Sequence, residues 1–133
     1  MIDVETIKAS AALVVEACQG LVDFDFGYDE RSVGWLERYI ERLRTGGAFD
    51  DNPDNFVSVF GCYLGEAIIA ANGGRWNEDG KYPLHIMLEG DIRVFPFAKV
   101  RKQMGIGLDG GDSILGFFRT IPALSKMIGD QPN

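Results

Sequence analysis

The chain has 133 residues, 46% apolar and 25% charged, with a formal net charge of −7. That is the profile of one soluble globular domain over residues 1–133, long enough to bury a core without disulfide or metal staples. It excludes a helical membrane span, because no apolar run approaches the roughly 20 residues needed. It also disfavours nucleic acid and anionic lipid, which an acidic surface repels.

Residues 4–20 carry Ile7, Ala11, Val14 or Val15 and Cys18 near one stripe, which predicts a first helix. Asp3 and Glu5 stand where a secretory signal would carry basic residues, which argues against such a signal. "DFDFGYDERS" breaks the pattern, and a second helix is predicted over 30–44. Its Val33, Leu36, Tyr39, Ile40 and Leu43 form an apolar face, and Glu37, Arg38, Glu41 and Arg42 an outer, solvent face. Glycines 46 and 47 end it. In "FDDNPDNF", Asn52 can cap, Pro53 suits the first helical position and Asp54 the first turn. The third helix then runs to residue 72, apolar around nearly its whole circumference, and is predicted to be central.

After Gly73-Gly74 the pattern becomes short strands and turns: "RWNEDGKYPLHIMLEGDIRVFPF" predicts an antiparallel meander of about three strands. "PFAKVRKQM" starts a short helix at Pro96, and "GIGLDGGD" is a loop. Asp112 or Ser113 caps a last helix that Pro122 is expected to kink or split, and the tail "GDQPN" should fray. Helices, then strands, then helices give an α+β fold: N-terminal helices packed with a central apolar helix, a small antiparallel sheet, and C-terminal helices.

The stretch "GCYLGEAIIAANGGRW" first suggests a phosphate loop, but such a loop places its glycines between a strand and a helix start. Here Gly61 and Gly65 lie inside a helix, where each costs about 1 kcal/mol against alanine. Close approach of another backbone, a strand or a helix packed on this groove, would offset that cost, with the first or second helix as the natural candidate. Glu66 is the only charged residue between Phe56 and Asn72, so a partner is expected, as an ion pair with Arg75 or Arg93. Glu66, Arg75, Trp76, His85 and Arg93 are thus the candidate structural or pocket residues, with Glu66 either an ion-pair partner or an acid in a pocket.

Other chemistry finds little support. The single histidine, His85, sits in a predicted strand, and no serine stands in a nucleophile-elbow context. Cys18 and Cys62 occupy apolar helical positions and should be buried, reduced and inert, which points to the cytoplasm. With one histidine and two cysteines at no ligand spacing, no zinc site is expected. "DFDFGYDE" fails the calcium-loop pattern, because Gly27 stands at an oxygen-ligand position and Tyr28 at the glycine position. "LDGGDS" could form an anion nest, but Asp112 is expected to occupy that helix start. No cofactor and no catalytic residue is called for.

The charge is uneven. Residues 1–60 hold 12 acids and 5 bases, a net of −7, and residues 61–133 hold 8 of each. Asp23, Asp25, Asp29, Glu30, Asp50 and Asp51 are the candidate acids for binding a basic partner; the bland alternative is that the acidity serves solubility.

"SVGWLERYIERLR", "FVSVFGCYLGEAIIAANGGRW", "VFPFAKVRKQM" and "DSILGFFRTI" resemble, over residues 32–121, a set of small bacterial domains of unknown function, the DUF3806-type domains. Some of their relatives look like immunity proteins of toxin systems. The chain departs from that pattern in its Phe-Gly-Cys-Tyr at 60–63. The resemblance implies one compact domain with an intracellular binding role, and no reaction to carry over. Three readings follow: an immunity-protein-like interaction domain binding a basic protein, a small-molecule binder or enzyme with a pocket around Glu66, Arg75 and His85, and a subunit of a homodimer.

Overall fold

A computed structural model describes residues 3–129, with side chains described through residue 124. The expected fraying of the tail 129–133 falls, from residue 130 on, outside the described residues, and Gly129 is the last residue of the final helix. Helices α1 (Val4–Gln19), α2 (Glu30–Thr45) and α3 (Asp54–Asn72) precede strands β1 (Arg75–Asn77), β2 (His85–Leu88) and β3 (Ile92–Val94). Helices α4 (Pro96–Gly105) and α5 (Ile114–Gly129) follow, with a short 3-10 turn at Leu108–Gly110 between them. The fold is α+β. Helix α5 continues through Pro122 and is not split there.

Asp3 opens α1 by accepting from the Thr6 amide (3.1 Å), and Asp29 opens α2 by accepting from the Ser32 amide (2.9 Å). Asn52 does not cap α3. Pro53 takes the cap position without a side-chain hydrogen bond, and the helix begins one residue later than expected. The difference is confined to the helix end: Pro53 already has helical backbone, φ −75° and ψ −19°, and its carbonyl accepts from the Val57 amide at 3.0 Å.

Helix α3 is the centre of the molecule, packing against α1, α4, α5 and β2. Its Tyr63, Leu64, Ala67 and Ile68 are fully buried. Tyr63 also reaches across the core, its hydroxyl donating to the Gly27 carbonyl at 2.6 Å. The Gly27 amide donates to the buried Ser32 hydroxyl (2.9 Å), so the "DFDFGYDE" loop is pinned on both sides. Cys18 and Cys62 are buried free thiols, and burial pushes both up to about 11.

The glycines of α3 admit rings rather than a backbone. A Cβ on Gly61 would stand 2.2 Å from Cδ1 of Phe97 on α4, and one on Gly65 would stand 2.1 Å from Cη2 of Trp76 on β1. The expected neighbour, α1 or α2, is replaced by the two aromatic side chains that follow the central helix in the chain. Gly73 and Gly74, at φ 76° and 99°, turn the chain from α3 into β1.

The sheet is antiparallel in the order β1-β2-β3, with Trp76, Ile86 and Val94 in register on one face and Arg75, Met87 and Arg93 on the other. The first row is buried in the core; the arginines of the second are exposed.

The solvent face expected on α2 is only half present. Arg38 and Arg42 are exposed, but Glu37 is buried and Glu41 is largely covered. Both acids point to the junction of α2, α4 and α5. The Glu37 carboxylate accepts from the Ser113 hydroxyl and from the Leu115 amide (3.1 Å). Gln103 of α4 accepts from the Ile114 amide (2.9 Å) and donates to the Glu37 carbonyl (3.1 Å). The Ser113 hydroxyl accepts from the Gly116 amide (2.8 Å). Three free amides at the start of α5 are thereby satisfied by side chains from α2, α4 and Ser113. Asp112 does not cap this helix; it pairs with Lys99 at 3.1 Å.

Glu41 accepts from the Leu108 amide (3.0 Å) and pairs with Arg44 (3.2 Å). Burial pushes its carboxyl up, but the hydrogen bonds from Arg44, Leu108 and Gln103 and the Arg44 charge outweigh burial and hold it below the ordinary value of 4.5. A lowered folded value stabilises the fold above the ordinary value and ceases to do so as pH falls through it. Denaturation of wild type and Glu41→Gln should therefore show a stability gap that is full at pH 7 and closes between about pH 5 and 3. A gap constant across that range would show that the carboxylate charge plays no part.

Candidate functional site

The sheet separates the five residues expected to share a pocket. Glu66 and Trp76 meet on the helix side, where the indole Nε1 donates to Glu66 Oε2 at 2.8 Å. Neither Arg75 nor Arg93 pairs with Glu66 among the described residues. Arg75 is exposed on the opposite face, and Arg93 pairs with Asp79 (3.7 Å) while lying 4.7 Å over the Tyr82 ring. The expected ion pair is thus replaced by an indole–carboxylate hydrogen bond. Neighbouring strand residues point to opposite faces, so once Trp76 turns inward Arg75 must turn outward.

His85 is fully buried. Its Nδ1 lies 2.7 Å from the Pro83 carbonyl, which can only accept, so Nδ1 carries the proton. Nε2 is left as acceptor toward Asn77 Nδ2 at 3.4 Å, and the Tyr82 and Phe95 rings pack against the imidazole. Both ring nitrogens are engaged inside the sheet, and His85 shares its face of the sheet with Met87, opposite the face on which Trp76 meets Glu66.

The six candidate acids do not form one patch. Asp29 is the α2 cap and Glu30 pairs with Arg119 at 3.1 Å, so both have partners within the fold. Asp23 and Asp25 lie in the α1–α2 connection, and Asp50 and Asp51 in the α2–α3 connection. Helix α2, at 16 residues, is about 24 Å long, so these two pairs lie toward opposite ends of it. Among the described residues none of these four makes an ion pair.

Between the two pairs lies an apolar cleft of about 430 Å³, formed by α1, α2 and α3. Leu13, Ala17 and Leu21 make one wall, and Tyr39, Leu43 and Phe56 the other. Leu13 is 63% and Leu21 59% exposed, an unusual placement for two large apolar side chains in one depression. Asp23 follows Leu21 by two residues. Asp50 and Asp51 follow Phe49, whose ring stands edge-on to Phe56 at 5.0 Å. Arg42, 5.6 Å over Tyr39, is a cation on the rim. The reading of α1 as a helix with one apolar stripe missed this cleft. The signal was the run Ala11–Val15, which holds more apolar side chains than one stripe can bury.

Among the described residues no helix is long and apolar enough to cross a membrane, and no three His, Cys, Asp or Glu side chains are grouped to hold a metal ion. No family model matches the chain, no curated protein matches it, and no solved structure matches it.

Proposed function

We propose that this protein is a non-enzymatic interaction domain whose α1–α2–α3 cleft receives an amphipathic helix of a basic partner protein. The observation that carries this reading is the exposure of Leu13 and Leu21 in an apolar cleft with unpaired acids toward both ends. Covering the 63% and 59% of these leucines that is exposed would contribute about 1–2 kcal/mol each, and an apolar groove of this kind is what the helix-in-groove mode uses. The excess acidity of residues 1–60 would speed encounter with a basic partner. A second copy of this chain is a poorer occupant, because like acids would meet across the interface. Two buried free thiols suit a reducing compartment.

Affinity capture from lysate of the source organism at low salt, run in parallel with the Leu13→Glu/Leu21→Glu variant, tests it. The expected result is a basic protein retained by wild type, released by salt and absent from the variant. Retention by the variant, or no basic protein on either, overturns the proposal. So does light scattering that finds a dimer which the double variant dissociates.

A further inference from the structure

A second cleft, sharing no lining residue with the first, lies along the N-terminal half of α1, where the first lies along its C-terminal half, and has a volume of about 450 Å³. We infer that it is a binding site for a small neutral amphiphile, a molecule with an aliphatic body and one uncharged hydroxyl-type head.

The size falls within the range of small-molecule sites. One wall is apolar: Leu84, Phe95 and Phe97. The other carries hydroxyls on successive turns of α1 and on α3, from Thr6, Ser10 and Ser58, with the Cys62 thiol at its buried edge. The lining holds no charged side chain. The Thr6 hydroxyl is committed to Asp3 at 2.7 Å, which leaves Ser10 and Ser58 to meet a head group. The Asp3 carboxylate beside that rim opposes an anionic head. A cation finds no carboxylate in the lining, and both Asp3 oxygens already accept from Thr6, at 3.1 and 2.7 Å, so no acceptor is left to hold it. What remains is a neutral donor–acceptor group.

The apolar wall is also built to stay in place. Phe97 is seated in the notch that Gly61 leaves in α3, and its ring packs on Trp76 at 5.7 Å. Pro83 and Pro96 stiffen the chain just before Leu84 and Phe97. A site that does not need to be ordered on binding loses less affinity to entropy.

Amide-resolved NMR titration of the whole protein with 1-octanol, sodium octanoate and octylammonium chloride tests the inference. Octanol is expected to saturate below about 1 mM, moving the amides of Ser10, Ser58, Cys62 and Ala98, with octanoate and octylammonium each at least tenfold weaker. Ala98→Leu, which extends an exposed side chain over the cleft, should weaken octanol at least tenfold while leaving the melting temperature in place. Leu13→Glu should leave octanol binding unchanged, which separates this site from the protein-binding cleft. The inference is overturned if octanol does not saturate, if its shifts centre on Leu13 and Leu21, if either charged homologue binds as well, or if Ala98→Leu stays folded and keeps full affinity.

Discussion

Replacing Glu37 with alanine should cost about 3 kcal/mol of stability, the sum expected for losing a charge-assisted cap and leaving buried donors unpaired. For a domain of this size that is a fall in melting temperature of roughly 10 °C. Two donors depend on this carboxylate, the Ser113 hydroxyl and the Leu115 amide. It also places a negative charge at the positive end of the α5 dipole without spending a lysine or arginine beside it. The position is buried, so water cannot replace the lost acceptor. Glu37→Gln keeps one acceptor and should cost about half as much. Urea titration of both variants measures this. A loss under about 1 kcal/mol for alanine would mean that the start of α5 is held by Gln103 and Ser113 alone.

Gly65→Ala should destabilise by about 2 kcal/mol, although alanine is the better helix former. The propensity gain is about 1 kcal/mol. Against it, the new methyl would lie 2.1 Å from Cη2 and 2.2 Å from Cζ2 of Trp76, and 3.2 Å from Ile86. The indole cannot simply step aside, because Nε1 is tied to Glu66 and the ring packs on Phe97. Overpacking of this kind costs about 1–3 kcal/mol, and loss of the Glu66 hydrogen bond adds about 1 more. In a Trp35→Phe background the emission of Trp76 should shift to the red as the ring is pushed outward. Gly105 is the control. A Cβ there meets nothing within 4 Å, so Gly105→Ala should be neutral or slightly stabilising. Equal effects at both glycines would show that the notch at Gly65 is not a constraint.

Much of the fold could be read from local signals. The all-round apolar character of α3 announced a central helix, the turns around Asp79-Gly80 and Gly90 separated the strands, and Pro96 marked the start of α4. What escaped was decided by distant parts of the chain. Glu37 and Glu41, spaced i and i+4 beside two arginines, have the pattern of a solvated face. Glu37 is covered because the start of α5, 76 and more residues away, docks there, and Glu41 because Leu108 and Gln103, 67 and 62 residues away, reach it. Glu66 was assigned an arginine because a lone acid on an apolar helix suggests an ion pair. Strand alternation between Arg75 and Trp76 could have reversed that choice, since only one of them can face α3. The acids of the first half were counted correctly, but a count carries no geometry. Which of them border the apolar cleft is decided by where the connections at the two ends of α2 fall in space.

The notch at Gly65 makes that position and Trp76 a single unit of inheritance. A lineage that gains a side chain at 65 must lose ring volume at 76, and one that shrinks Trp76 leaves both an empty notch beside α3 and a carboxylate at 66 with no donor. Changes at these positions should be strongly non-additive in combination. Distant kin of this chain are therefore better recognised by matched pairs, small at 65 with an indole donor at 76, than by either residue alone.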